Sequence, residues 1–177
     1  DFPTATLRAQ LVADLDGRDA GRRAFAALTA SPDATADTVL ALARLEPDAR
    51  SREKTLRAGL ARFEGDAGLQ DALAHSRLVS GDRTEALALA RAALRTSPSR
   101  IGTWVTAVRA AESSPATLHE LLDAMDAALG SDVRLLGDAA TRIGDLAFEP
   151  GDIVSTHTLR WLDRALAADP DPALRFG

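Results

Sequence analysis

The residues of this chain best suited to chemistry are its three histidines, His75, His119 and His157. His119 opens the stretch "HELLDAMD", which begins like a His-Glu-x-x-His zinc site but lacks the second His, so the metal fails at its second ligand. It is read as a solvated residue at the first turn of a helix. His157 lies in "STHTLRW" near Ser155, Thr156 and Asp163, yet a nucleophile, base and orienting group need a geometry that one helix rarely supplies. Polar helix surface is the expectation there. With no cysteine there is no thiolate nucleophile, thiolate metal site or disulfide, and no Gly-rich phosphate loop is present. The chain is therefore expected not to be an enzyme, and no metal or cofactor is expected.

Composition narrows the class further. A net charge of −5 gives no general attraction for phosphate backbones, so nucleic acid is not an expected partner. Of 21 basic residues only Lys54 is a lysine; the planar guanidinium forks that remain suit carboxylates, but a GC-rich coding sequence that writes Arg for Lys is the favoured reading of the bias. No apolar run approaches the ~20 residues that cross a bilayer, so no membrane insertion is expected. Lack of cysteine leaves cytoplasm and periplasm both compatible. A first residue of Asp rather than Met is read as a processed or excised piece of a longer chain.

The elements that must carry these residues are helical. Ala86, Leu87, Ala90, Ala93 and Leu94 share one arc, as do Leu159, Leu162, Ala165 and Leu166, and no segment alternates as a strand. Breakers at Pro32, Pro47, Gly65, Gly81, Pro98, Pro115, Gly130, Pro150 and Pro170 cut the chain into about ten helices in antiparallel pairs, near 3–15, 18–30, 34–45, 49–63, 67–79, 82–96, 99–112, 115–129, 132–147 and 152–168. Ser31, Ser97 and Ser114, each followed by Pro, offer helix starts with Pro at the first helical position. Asp82 to Glu85 has the spacing of a capping box.

"GDRTEALALARAALRTSP", from Gly81, recurs in blurred form from Gly17 and from Thr156, and a fixed period of 20 to 50 residues marks a solenoid. Residues 67–100 resemble a tetratricopeptide repeat of 34 residues: Leu73-Ala74, Gly81-Asp82 at the turn, Ala86, Ala90, Ala93-Leu94 and the closing Pro98. Weaker copies follow from Trp104, Val108, Leu121 and Met125, and precede it through Leu40, Leu56, Gly59 and Leu60. Leu7, Leu11, Ala20, Ala24 and Leu28 fit a first unit, and Leu162, Ala165-Leu166 and Pro170 a last one, after a longer turn at Phe148 to Asp152. The expected fold is thus an all-α solenoid of about five helix pairs in one domain, 1–177, with units 1–32, 33–66, 67–100, 101–131 and 132–170. Small residues at Ala20, Ala86 and Ala90 are expected to let neighbouring helices approach closely.

The resemblance implies that the first helix of each pair lines a concave groove. On the 34-residue frame the groove carries Asp37, Ala41 and Arg44, then Asp71, His75 and Leu78, then Val105, Arg109 and Glu112. Apolar spots among arginines and acids suit an extended or helical peptide. The Lys, Asn and Arg set with which some members clamp a chaperone's C-terminal carboxylates is absent; its places hold Asp71, Ala72 and His75. The implied function is a scaffold that binds a protein or peptide partner through the groove, with a regulatory or targeting module of a larger bacterial envelope or polysaccharide-assembly protein as the alternative. Trp104 is read as core, Trp161 as an arc-edge residue able to dock a further unit or a partner, and Leu174 with Phe176 as the start of another element or linker. Neither end of the solenoid is clearly polar, which allows self-association through the end repeats.

Overall fold

The computed structural model describes residues 2–146 and 151–168, all helix and short turns among those residues. The turn residues Phe148, Glu149 and Pro150, and Pro170, Leu174 and Phe176, lie outside them. Ten helices follow in order: α1 (Phe2–Leu15), α2 (Arg18–Thr29), α3 (Ala36–Leu45), α4 (Ala49–Arg62), α5 (Ala67–Val79), α6 (Arg83–Thr96), α7 (Ile101–Ala111), α8 (Pro115–Leu129), α9 (Val133–Gly144) and α10 (Ile153–Ala168). The chain divides into two compact units, residues 1–93 and 94–177.

In the first unit each helix packs on the next from α1 to α5, and α3 also packs on α5. In the second, α7 packs on α8 and α9, and α10 on α9 and α8. First helices therefore meet first helices, the arrangement that makes pairs stack. The 34-residue frame places Val39 on Leu73, and both belong to one core with Ala43, Leu56 and Leu69. A second core holds Ala9, Phe25 and Leu42. Leu73, Ala74, Ala86, Ala90 and Ala93, which carried the resemblance, are all buried, as are Trp104, Val108, Leu121 and Met125.

Several local expectations are corrected. α3 begins after Thr35 rather than Ser31, because Thr35 and Thr38 form a reciprocal capping box. α7 begins after Arg100 rather than Ser97, and no side chain caps it. Ser114 does precede Pro115 at a helix start, but its hydroxyl bonds Thr117 Oγ1 at 2.8 Å instead of a backbone N–H. Asp82 accepts from the Glu85 backbone N–H at 3.0 Å, whereas the Glu85 carboxylate turns to Arg57 at 2.7 Å and leaves the box half made. Close approach of α1 and α2 falls at Gly21, where a Cβ would overlap the Ala13 methyl, rather than at half-buried Ala20.

The largest correction concerns α10. Its leucine arc does not face the core, since Leu159 is 63% and Leu166 40% exposed. Val154, His157, Thr158 and Trp161 are buried instead. The helix turns this way because Gly137 and Gly144 on α9 leave room for it, their absent Cβ atoms lying 3.1 Å from the Ala165 methyl and 3.2 Å from Thr158 Cγ2. Trp161 is fully buried and His157 is no surface residue.

Candidate partner-binding surface

On α3, Asp37 and Arg44 are exposed and Ala41 is half-buried; on α5, His75 is exposed while Asp71 and Leu78 are half-buried. Because α3 packs on α5, these residues occupy neighbouring helices of the first unit. Val105, half-buried, and Arg109, exposed, stand on α7 of the second unit, and exposed Glu112 follows at its C-terminal cap. Residues at i, i+4 and i+7 share a helix face, which is the spacing of each set.

The structure adds apolar residues that the spacing alone did not single out for this surface. Among the described residues, six large hydrophobic side chains are exposed, and four of them, Leu7, Leu11 and Leu15 on α1 and Val79 on α5, stand on first helices. Leu7 is in frame with Ala41 and His75, and Leu11 with Leu45 and Val79. An apolar row thus recurs across α1, α3 and α5 at 34-residue intervals, a signal visible in the sequence once exposure is known. Solitary exposed apolar residues are ordinary, whereas a contiguous apolar patch marks a contact surface.

The first unit is also tied together by charge. Arg77 on α5 places Nη1 3.1 Å from Glu53 Oε2 and Nε 2.7 Å from Glu85 Oε2, and Nη2 binds Asp82. Arg57 on α4 bonds the same two glutamates, Glu53 at 2.9 Å and Glu85 at 2.7 Å. Two guanidinium groups and three carboxylates so tie α4, α5 and the start of α6 together. The Arg57 bond, with Arg77 adding to it, holds the Glu53 carboxyl below the ordinary carboxylate range. Asp82 is lowered first by the Glu85 backbone N–H and then by Arg77, and Asp48, the cap of α4, by the Ser51 backbone N–H. Both arginines are raised by these carboxylates.

In the second unit His157 is 8% exposed. Its Nδ1 donates to the Ile153 carbonyl at 2.8 Å, and its Nε2 lies 3.5 Å from Asp123 Oδ1. Exposed His119 reaches the other oxygen of Asp123 at 3.4 Å, and the ring of His157 meets Trp161 edge-on at 5.6 Å. The imidazoles address different oxygens, and among the described residues no three such side chains could hold a metal ion. His157 is packing between α8 and α10. No helix among the described residues is long and apolar enough to cross a membrane.

No family model matches the chain, and no curated protein matches it in sequence. Solved structures match its fold along almost its whole length. Two crystal structures of MamA superpose with TM-scores of 0.62 and 0.64 at 11% and 12% identity, covering 93% and 97% of this chain and 96% and 93% of theirs. TTC0263, a thermophilic TPR protein of Thermus thermophilus, superposes with a TM-score of 0.59 at 16% identity, over 99% of this chain and 95% of its own. The chain has a tetratricopeptide-like fold, an all-α solenoid.

Proposed function

We propose that this chain is a non-catalytic scaffold whose first helices bind a protein or peptide partner. The observation that carries this reading is the exposure of Leu7, Leu11 and Val79 on first helices, Leu7 in register with Ala41 and His75 and Leu11 with Leu45 and Val79, beside Asp37, Arg44, Asp71 and Leu78. Apolar side chains bury area against the partner, while Arg44 offers a planar fork for a carboxylate. In the second unit, α7 and its C-terminal end carry the same kinds of side chain in Val105, Arg109 and Glu112. Affinity capture from the source organism with wild-type chain beside a His75→Ala, Arg109→Ala, Val79→Glu variant tests it. A protein retained by the wild type and lost by the variant supports the reading. Equal retention by both removes these residues from the site.

A further inference from the structure

The carboxylate of Asp82 serves two helices at one turn. Its Oδ1 accepts the Glu85 backbone N–H at 3.0 Å and so caps the start of α6. Its Oδ2 binds Arg77 Nη2 near the end of α5. Residues 80–82 join the two helices, with Gly81 at a φ of 89° that favours glycine. Asp48, by contrast, gives both of its oxygens to Ser51 of its own helix α4.

Arg77 carries this turn to the rest of the first unit. It reaches Glu53 on α4 at 3.1 Å and Glu85 on α6 at 2.7 Å, and Arg57 on α4 meets the same two glutamates. Across this junction the charged groups that act on Asp82 and Glu53 are therefore Arg77 from α5, Arg57 from α4 and Glu85 from α6. α3, which also packs on α4 and α5, carries its charges, Asp37 and Arg44, at exposed positions.

We propose that the α5–α6 turn is an acid-released joint: as Asp82 and Glu53 take up protons, the cap of α6 and the tie of α5 to α4 weaken together, and the turn opens while the apolar core holds. Arg77 and Arg57 are then left to share Glu85, one carboxylate for two guanidinium groups, and their mutual repulsion adds to the loss. The core beneath does not titrate, being built of Leu56, Leu69 and Leu73 with Val39 and Ala43. Asp82 and Glu53 titrate below their ordinary values of 3.8 and 4.5 in the closed joint. Their contribution is thus complete above those values and is lost as pH falls through the lower, closed-state ones.

Hydrogen exchange of the full chain at about pH 6.5 and pH 3.5, each referred to the unfolded chain at the same pH, tests the proposal. The amides of Gly81, Asp82, Glu85 and Ala86 are hydrogen-bonded in the closed turn. Between the two pH values they should lose at least ~10-fold more protection than the amides of α3. Asp82→Asn keeps a capping oxygen but no charge for Arg77, so it should show the lowered protection already at pH 6.5 and little further loss at pH 3.5. Glu53→Gln, which leaves the α6 cap in place, should lessen the pH dependence at this turn, and Asp48→Asn should leave it as in the wild type. Equal loss along the whole chain, no extra loss at the turn, or wild-type pH dependence in Asp82→Asn would each overturn the proposal.

Discussion

Arg62 and Arg164 stand three repeats apart and make the same joint. Arg62, at the end of α4, donates to the carbonyls of Thr29, Ser31 and Pro32 at 2.9–3.0 Å, just where α2 ends. Arg164, near the end of α10, donates to the Gly130 carbonyl at 2.9 Å, where α8 ends, and also binds Asp126. Each of these second helices so carries a cation to carbonyls at the C-terminal end of the second helix before it, where the helix dipole is negative. Thr96 at the end of α6 and Gly130 just after α8 hold the two intervening places of the frame, and neither has a cationic side chain with which to repeat the contact.

Arg62→Leu should cost about 1 kcal/mol, since the carbonyls it leaves are reached by water. Arg62→Lys should recover only part of that loss, because one ammonium cannot reproduce three bonds from a planar fork. Urea unfolding compares the three proteins. Equal stability of wild type and Arg62→Leu would mean that the contact is ornamental.

The carboxylate cage sets a pH dependence. Glu53 and Asp82 titrate below their ordinary values of 4.5 and 3.8 in the folded chain. Their contribution is therefore complete above those values and is lost as pH falls through the lower folded ones. Thermal unfolding should show a falling midpoint below about pH 4.5, and Glu53→Gln should flatten that slope while lowering the midpoint at pH 7.

Gly21→Ala tests the closest helix approach. A methyl there would meet the Cβ and the backbone of Ala13, neither of which can swing aside. Overpacking costs about 1–3 kcal/mol, against roughly 1 kcal/mol gained in helix propensity, so the variant should unfold at lower denaturant. Gly59→Ala should behave alike, since its Cβ would lie 2.5 Å from Val39 Cγ1.

Trp161 is buried, and its indole N–H has no hydrogen-bond partner. Trp161→Ala removes the largest core side chain of α10 and should cost about 3–5 kcal/mol. Trp161→Phe keeps a ring and removes a buried donor that makes no bond, so its cost should stay under ~1.5 kcal/mol. Calorimetry separates the two; similar losses would show that the indole N–H is satisfied in solution.

How far the sequence could be read depends on which residues bear the signal. The helices were legible because Pro and Gly punctuate them and alanines mark the buried face of α6. The buried face of α10 was not, although its bounds were, because periodicity reports an apolar stripe without saying which neighbour it meets. There the leucines formed the cleaner stripe, yet Gly137 and Gly144 let α9 receive Ala165 and Thr158, and Trp161 and His157 are buried instead. The charge cage was half visible in the i, i+4 pair Glu53 and Arg57. Its other half depends on Arg77 reaching Glu53 from 24 residues away, a distance that no local pattern spans. The groove positions could be placed by the 34-residue frame, but their value as a surface rested on the exposure of Leu11 and Val79.

That exposure gives the sharpest separation of stability from binding. Val79 is 72% and Leu11 50% exposed, so replacing either by Glu buries no charge and should change stability by less than ~0.5 kcal/mol. In a bound complex the same carboxylate would be desolvated against apolar partner atoms, which costs several-fold more. Val79→Glu should therefore unfold with the wild type in urea yet lose at least ~10-fold in affinity for a captured partner, about 1.4 kcal/mol. Lys54→Glu, an exposed change of charge on the second helix α4, controls for net charge and should leave affinity within ~2-fold. If Val79→Glu and Lys54→Glu weaken binding equally, the partner responds to overall charge, and the apolar row on the first helices is not where it binds.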